Sequence, residues 1–329
     1  MSKCKLSIEL PGPDDFVPPG GELDVIVHVS CDRTMKCNGL HLGRSWRTHG
    51  LGNRPDGGSL VEELFSGTWE PGDYAYPTKV RFPEGPRSYH GLAINVDWYL
   101  EARADIPIGI DPTAERMVLM VDPAPPKPYT PPRVWAPQPI KLSTSASPWM
   151  IVAFMMIPVI FVLMLAFTPT LGLLLIPVVA YLILSFRSGN ATVRSIGQVA
   201  LELHPQTIAP GEELHAMLRL QPRKSVDIEH VTMNLRAMES TTNGSGTTST
   251  YHREEAFLLE ERVAGDLQLS GGDHLEEECT FKLPITAPES LDLRDNEITT
   301  RFKLEIQIVG QEIVAFDQPI HIGPTLRFD

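Results

Sequence analysis

From Trp149 to Phe186 the chain runs for 38 residues without a charged side chain. A membrane-spanning helix needs about 20 such residues. One unbroken helix over the whole run would be about 57 Å long, against a hydrocarbon core of about 30 Å. Its centre reads Thr168-Pro169-Thr170-Leu171-Gly172, where proline removes a backbone donor and glycine frees the backbone, so a turn is favoured. The run therefore predicts a transmembrane helical hairpin, with helices over 149–167 and 171–186 and kinks at Pro158 and Pro177. No acidic residue lies between Asp122 and Glu202. Lys127, Arg133 and Lys141 precede the run, and Arg187 and Arg194 follow it. Basic flanks stay on the cytoplasmic side. Residues 1–10 hold no apolar run of signal-peptide length. The expectation is an integral membrane protein that meets the lipid bilayer through 149–186, with both flanking parts cytoplasmic.

The flanks themselves read as β-structure. Leu6-Ser-Ile-Glu-Leu10, Leu23–Val29 and Val96–Ala102 alternate apolar and polar residues, as do Val199–Leu203, His215–Leu220, Val231–Arg236, Cys279–Leu283 and Phe302–Ile308. A period of two marks half-buried strands. Glu260–Leu269 is the nearest to an amphipathic helix, weakened by Gly265. The chain holds 30 prolines. Nine of them, from Pro123 to Pro148, fall in residues 122–148, a composition suited to a semi-rigid spacer. The expected organisation is a β-sandwich over 1–121, a linker over 122–148, the hairpin over 149–186, and a second sandwich over 198–324. Net charge is −13, which disfavours nucleic acid as a partner. Residues 1–146 carry 15 basic and 18 acidic side chains, and residues 187–329 carry 13 and 23. The second half, at −10, is the acidic one.

The two β-rich parts resemble each other in order. Leu6–Leu10 matches Val199–Leu203, and Phe16-Val-Pro-Pro-Gly-Gly-Glu-Leu23 matches Thr207-Ile-Ala-Pro-Gly-Glu-Glu-Leu214. Leu40-x-Leu42 then matches Val231-x-Met233, and Val80-Arg-Phe-Pro83 matches Phe281-Lys-Leu-Pro284. Last, Val96, Trp98, Leu100 and Ala102 line up with Phe302, Leu304, Ile306 and Ile308. Duplication of one sandwich explains this series.

With Phe82-Pro-Glu-Gly-Pro-Arg-Ser-Tyr-His-Gly91 leading into Ile94–Ala102, the pattern resembles the arrestin superfamily of tandem β-sandwiches, nearer its α-arrestin-like and bacterial branches. The resemblance implies an all-β soluble part of two arrestin-like sandwiches, here with the helical hairpin inserted between them. It also implies adaptor work on protein partners, often membrane proteins. Lys3 and Lys5 are the only lysines near the first strand, so receptor-phosphate recognition is not implied.

Catalytic motifs are absent from the sequence: no Gly-x-Ser-x-Gly, no phosphate-cradling loop, no dinucleotide fingerprint. Cys31-x5-Cys37, the group His41, His49 and Asp56, and the run Glu276–Glu278 with Asp273 each lack the spacing of a metal site. Four cysteines without a framework, Cys4, Cys31, Cys37 and Cys279, fit a reducing compartment. No catalytic, cofactor or metal residue is assigned, no small-molecule substrate is evident, and the chain is expected not to be an enzyme. Trp69, Tyr74, Tyr76, Arg81, Arg87 and Tyr89 form the candidate protein interface, because Trp, Tyr and Arg are favoured in such surfaces. The expected function is a membrane-anchored arrestin-like adaptor or scaffold at the cytoplasmic face. The alternative is a structural subunit of a larger membrane assembly.

Overall fold

The computed structural model describes residues 4–12, 16–107, 109–121, 135–144, 195–311 and 313–323. The first half builds β1 (Cys4–Glu9), β2 (Phe16–Val17), β3 (Glu22–Cys31), β4 (Met35–Gly50), β5 (Asp56–Trp69), β6 (Gly72–Arg81), β7 (Tyr89–His90), β8 (Ile94–Asp105) and β9 (Thr113–Met120). Two short strands follow, β10 (Gln138–Pro139) and β11 (Ser143–Thr144). The second half builds β12 (Gln198–His204), β13 (Thr207–Ile208), β14 (Glu213–Gln221), β15 (Val226–Asn243), β16 (Thr250–Leu269), β17 (Leu275–Lys282), β18 (Leu291–Asp292), β19 (Asn296–Ile308) and β20 (Val314–Ile322). The stretch 260–269, the nearest to a helix in the sequence, lies inside strand β16.

Each half is a two-sheet sandwich, and the two share one topology. Sheet β1-β3-β6 faces β2-β9-β8-β4-β5. In the second half, β12-β14-β17 faces β20-β19-β15-β16, with β13 parallel to β20 as β2 is to β9. Small bonds repeat as well. Gly20 N donates to Pro83 O and Gly211 N to Pro284 O; Val121 N donates to Val17 O and Gly323 N to Ile208 O. Ser88 Oγ accepts from Met120 N as Ser290 Oγ does from Ile322 N. These bonds also correct the last sequence match. Gly91 N bonds Ile94 O where Leu293 N bonds Asn296 O, so Leu100, not Val96, stands where Phe302 does. A period-two pattern keeps its appearance under a slip of four residues, so it could not set this register.

The alternation fixes the cores. Trp69, Trp98, Phe82 and Leu100 fill the first, and Phe281, Phe302, Leu218 and Ile306 fill the second. Two positions depart from the apolar rule. Arg44 lies opposite core-facing Leu100 on β8, and its counterpart in the second sandwich is Leu235, fully buried opposite Phe302. The Arg44 guanidinium sits 5.8 Å over the Phe82 ring. Its Nε and Nη1 are buried and donate no hydrogen bond. On the outermost strands, Glu62 lies opposite Leu42, and Glu261 lies opposite Met233, again at equivalent places. A charge on the core side of an edge strand discourages another chain from pairing there.

Among the described residues the fold class is corrected to all-β. Among the described residues, no helix is long and apolar enough to cross a membrane. The expected hairpin at 149–186 (149–167 and 171–186) lies outside the described residues, as do Lys127, Arg133, Arg187 and Arg194. The transmembrane assignment, the integral-membrane location and the cytoplasmic placement that rested on them are withdrawn. An uncharged run states what a segment tolerates, not what it forms. Cys4 and Cys31, which the sequence left unpaired, face each other in register on β1 and β3 and form a disulfide. Cys37 and Cys279 are free and buried.

Candidate functional site at the junction of the two sandwiches

The densest polar cluster that joins the two halves lies where the end of β4 and the β7–β8 turn of the first sandwich meet β15 and the β18–β19 turn of the second. Glu239 on β15 is fully buried. Its carboxylate accepts from Tyr89 Oη at 2.5 Å, Ala93 N at 2.7 Å, Ile94 N at 2.8 Å and Leu92 N at 3.3 Å. A buried carboxylate is tolerated where donors replace its water. The same environment pushes the Tyr89 phenol upward, through burial first and then through its bond to Glu239. Gly91 allows the approach: a Cβ there would fall 2.1 Å from Glu239 Oε1 and 2.6 Å from the Tyr89 ring.

Beside it, Arg87 Nε lies 2.8 Å from Glu289 Oε1 as an ion pair that is off the direction of a hydrogen bond. Arg87 N donates to Glu289 Oε2 at 3.3 Å. Burial raises the Glu289 carboxyl, and the Arg87 charge and amide partly offset that. On the far side, Asn53 N donates to Thr242 O at 3.0 Å, and its side chain donates to Asp295 Oδ2 at 3.0 Å and Gly244 O at 3.2 Å. Asn296 Nδ2 donates to Asn53 O at 2.9 Å and to Thr48 Oγ1 at 3.2 Å. The apolar core continues across: Leu291 and Ile298 of the second sandwich belong to the first sandwich's cluster.

The junction has an internal two-fold logic. The repeated turns make Arg87 equivalent to Glu289 and Ile94 equivalent to Asn296, and the strand registers make Thr48 equivalent to Glu239. Ile94 meets Glu239 while Asn296 meets Thr48, so the two contacts are exchanged copies of each other. This is the pattern of a symmetric dimer interface, built within one chain.

The expected interface residues divide. Arg87 and Tyr89 are in the junction. Trp69, Tyr74 and Tyr76 form a separate group: Trp69 is fully buried, stacks on Phe65 at 5.2 Å and donates to Tyr76 Oη at 2.7 Å. Tyr74 bonds the backbone of Glu70. Arg81 is exposed at the end of β6, in register with Glu22. Sequence reasoning missed Glu239, Glu289, Asn53 and Asn296. A lone glutamate inside an alternating strand, at a core-facing place, was the available signal for Glu239. Among the described residues, no group of three or more His, Cys, Asp or Glu side chains is arranged to hold a metal ion.

Comparison with known proteins places the second sandwich. Residues 188–324 match the family model described as SpoOM protein. The crystal structure of Spo0M, a sporulation control protein from Bacillus subtilis, aligns at 16% identity with a TM-score of 0.32, covering 38% of this chain and 49% of that one. The chain thus spans about half the length of that protein. No curated protein sequence matches. Residues 188–324 are thus similar to the Spo0M family, which accords with the arrestin-like resemblance of the sequence.

Proposed function

We propose that this chain is a non-enzymatic arrestin-like adaptor or scaffold that holds protein partners on its paired sandwiches. The observation that supports this most is the junction. An adaptor presents two surfaces at a constant spacing, and buried polar bonds with demanding geometry fix such spacing better than apolar contact does. The outer strands β5 and β16 carry the inward-facing Glu62 and Glu261, which leaves loops and other strand edges for partners.

The test is in-cell crosslinking of the tagged full chain, followed by identification of recovered proteins, with and without Glu239→Ala. The expected outcome is a defined set of partners that is lost when the junction is loosened while both sandwiches stay folded by circular dichroism. Recovery of no partner, or recovery of the same set with Glu239→Ala, overturns the reading.

A further inference from the structure

Residues 135–144 lie as a strap across one open side of the second sandwich. At one end β10 extends the smaller sheet, pairing Gln138 with Leu201 and Pro139 with Ala200. Ile140 N then donates to Val199 O at 2.9 Å. At the other end β11 extends the larger sheet, pairing Ser143 with Ala315 and Thr144 with Val314. Between these, Ile140 and Leu142 pack on the second core, and Lys141 stands between them in sequence. Upstream, Ala136 N donates to the Glu202 carboxylate, and the Trp135 ring lies 5.6 Å from that of His204. The strap therefore bridges the edge strands β12 and β20 of two different sheets.

This resident is a poor strand. Each end pairs over two residues, and Pro139 stands at a non-hydrogen-bonded pair with Ala200, where an edge strand tolerates proline. Short pairing at an edge opens at low cost. The groove accepts an extended chain by edge pairing plus alternate apolar pockets, a known mode of peptide recognition. Neither β12 nor β20 carries the kind of charge that guards β5 and β16 on their core side.

We propose that the β12–β20 groove is a docking site for an extended segment of a partner protein, which enters by displacing residues 135–144. The fitting segment has apolar side chains two apart, at the places of Ile140 and Leu142. It carries a basic side chain between or beside them. The basic preference follows from charge: residues 187–329 carry 13 basic and 23 acidic side chains, and Glu202 sits at the mouth of the groove. This rests on the adaptor reading and names one of its surfaces.

The experiment uses the full chain and a fluorescent synthetic peptide with the sequence of residues 135–144, carrying Pro139→Val. A second chain carries Pro139→Cys with Ala200→Cys, so that oxidation locks the strap in place; the native free thiols are buried. The peptide is expected to bind the parent chain and the reduced double variant, and to bind the oxidised one at least tenfold more weakly. A peptide with Asp at both apolar places is expected not to bind. A third chain, Ile140→Asp with Leu142→Asp, lifts the strap and is expected to bind the peptide more tightly than the parent does. Equal binding to the locked and parent chains overturns the proposal. So does failure of the strap-lifted chain to bind while its circular dichroism and cooperative unfolding are retained. Crosslinked partners that persist in the locked chain would remove this groove and leave the adaptor reading standing. Peptide exchange without recovered partners would do the reverse.

Discussion

Arg87 and Glu289 occupy the same place in their respective sandwiches and pair with each other, Nε to Oε1 at 2.8 Å. Duplication alone would put like residues at that point, where two arginines or two glutamates would repel. The halves have diverged to opposite charges there, which makes the contact favourable and gives it a direction. Burial raises Glu289, so the folded state holds the Glu289 proton more tightly than the unfolded state does. The contribution of this group to stability is present below the ordinary glutamate range and is lost as pH rises toward the raised value. Glu289→Gln removes that loss. The stability difference between parent and Glu289→Gln, from urea midpoints at a series of pH values, is expected to move against the parent as pH rises through this window.

Glu239 gathers four donors from the other sandwich. Glu239→Ala leaves buried N–H groups and a phenol unpaired, at a cost of about 4 kcal/mol. Tyr89→Phe removes one donor and costs about 1–2 kcal/mol. Gly91→Ala drives a methyl group into the carboxylate and is expected to resemble Glu239→Ala more than Tyr89→Phe. Chemical denaturation ranks the three.

Arg44→Leu is expected to stabilise. It places in the first sandwich the residue type that Leu235 supplies in the second, and it removes two buried donors without acceptors. Replacing a buried charge by an apolar side chain of similar volume is commonly neutral or stabilising. A rise in the thermal midpoint of a few degrees, about 1–2 kcal/mol, checks it.

The Cys4–Cys31 bond closes a loop with a sequence separation of 27. Its loss through Cys4→Ser is expected to cost about 3.5 kcal/mol on the loop-closure scale. Mass spectrometry after alkylation of the unfolded chain should show two blocked thiols, Cys37 and Cys279, without reductant, and four after reduction.

Cys279 is pushed up to about 11, chiefly by burial and secondarily by the Glu261 charge. Burial raises Cys37 as well. Both thiols are expected to resist iodoacetamide at pH 8 until the protein unfolds, since the thiolate is the reactive form. Labelling followed across a urea gradient should track the unfolding curve.

The strands and their duplication were legible because alternation and turn residues are local properties. Registers were not: Val96 and Leu100 present the same face, so the pattern could not choose between them as the counterpart of Phe302. The junction was half legible. Arg87 and Tyr89 stood out as interface types, while their partners Glu239 and Glu289 lie 150 and 202 residues away in segments that read as ordinary strand and loop. Trp69 and Tyr76 shared the same residue-type signal yet serve the first sandwich's interior. The disulfide was hidden because two cysteines at opposite ends of a hairpin pairing carry no spacing signature.

The exchanged contacts at the junction also bear on self-association. A face that is complementary to its own copy invites two molecules to pair or many to stack. Here the chain supplies both copies of that face and closes them on each other. A second molecule finds the self-matching surface already consumed, so an increase in protein concentration gains nothing from it. Loosening the junction, by contrast, releases two mutually complementary faces per molecule. That is the condition for exchange of halves between chains and for open-ended growth.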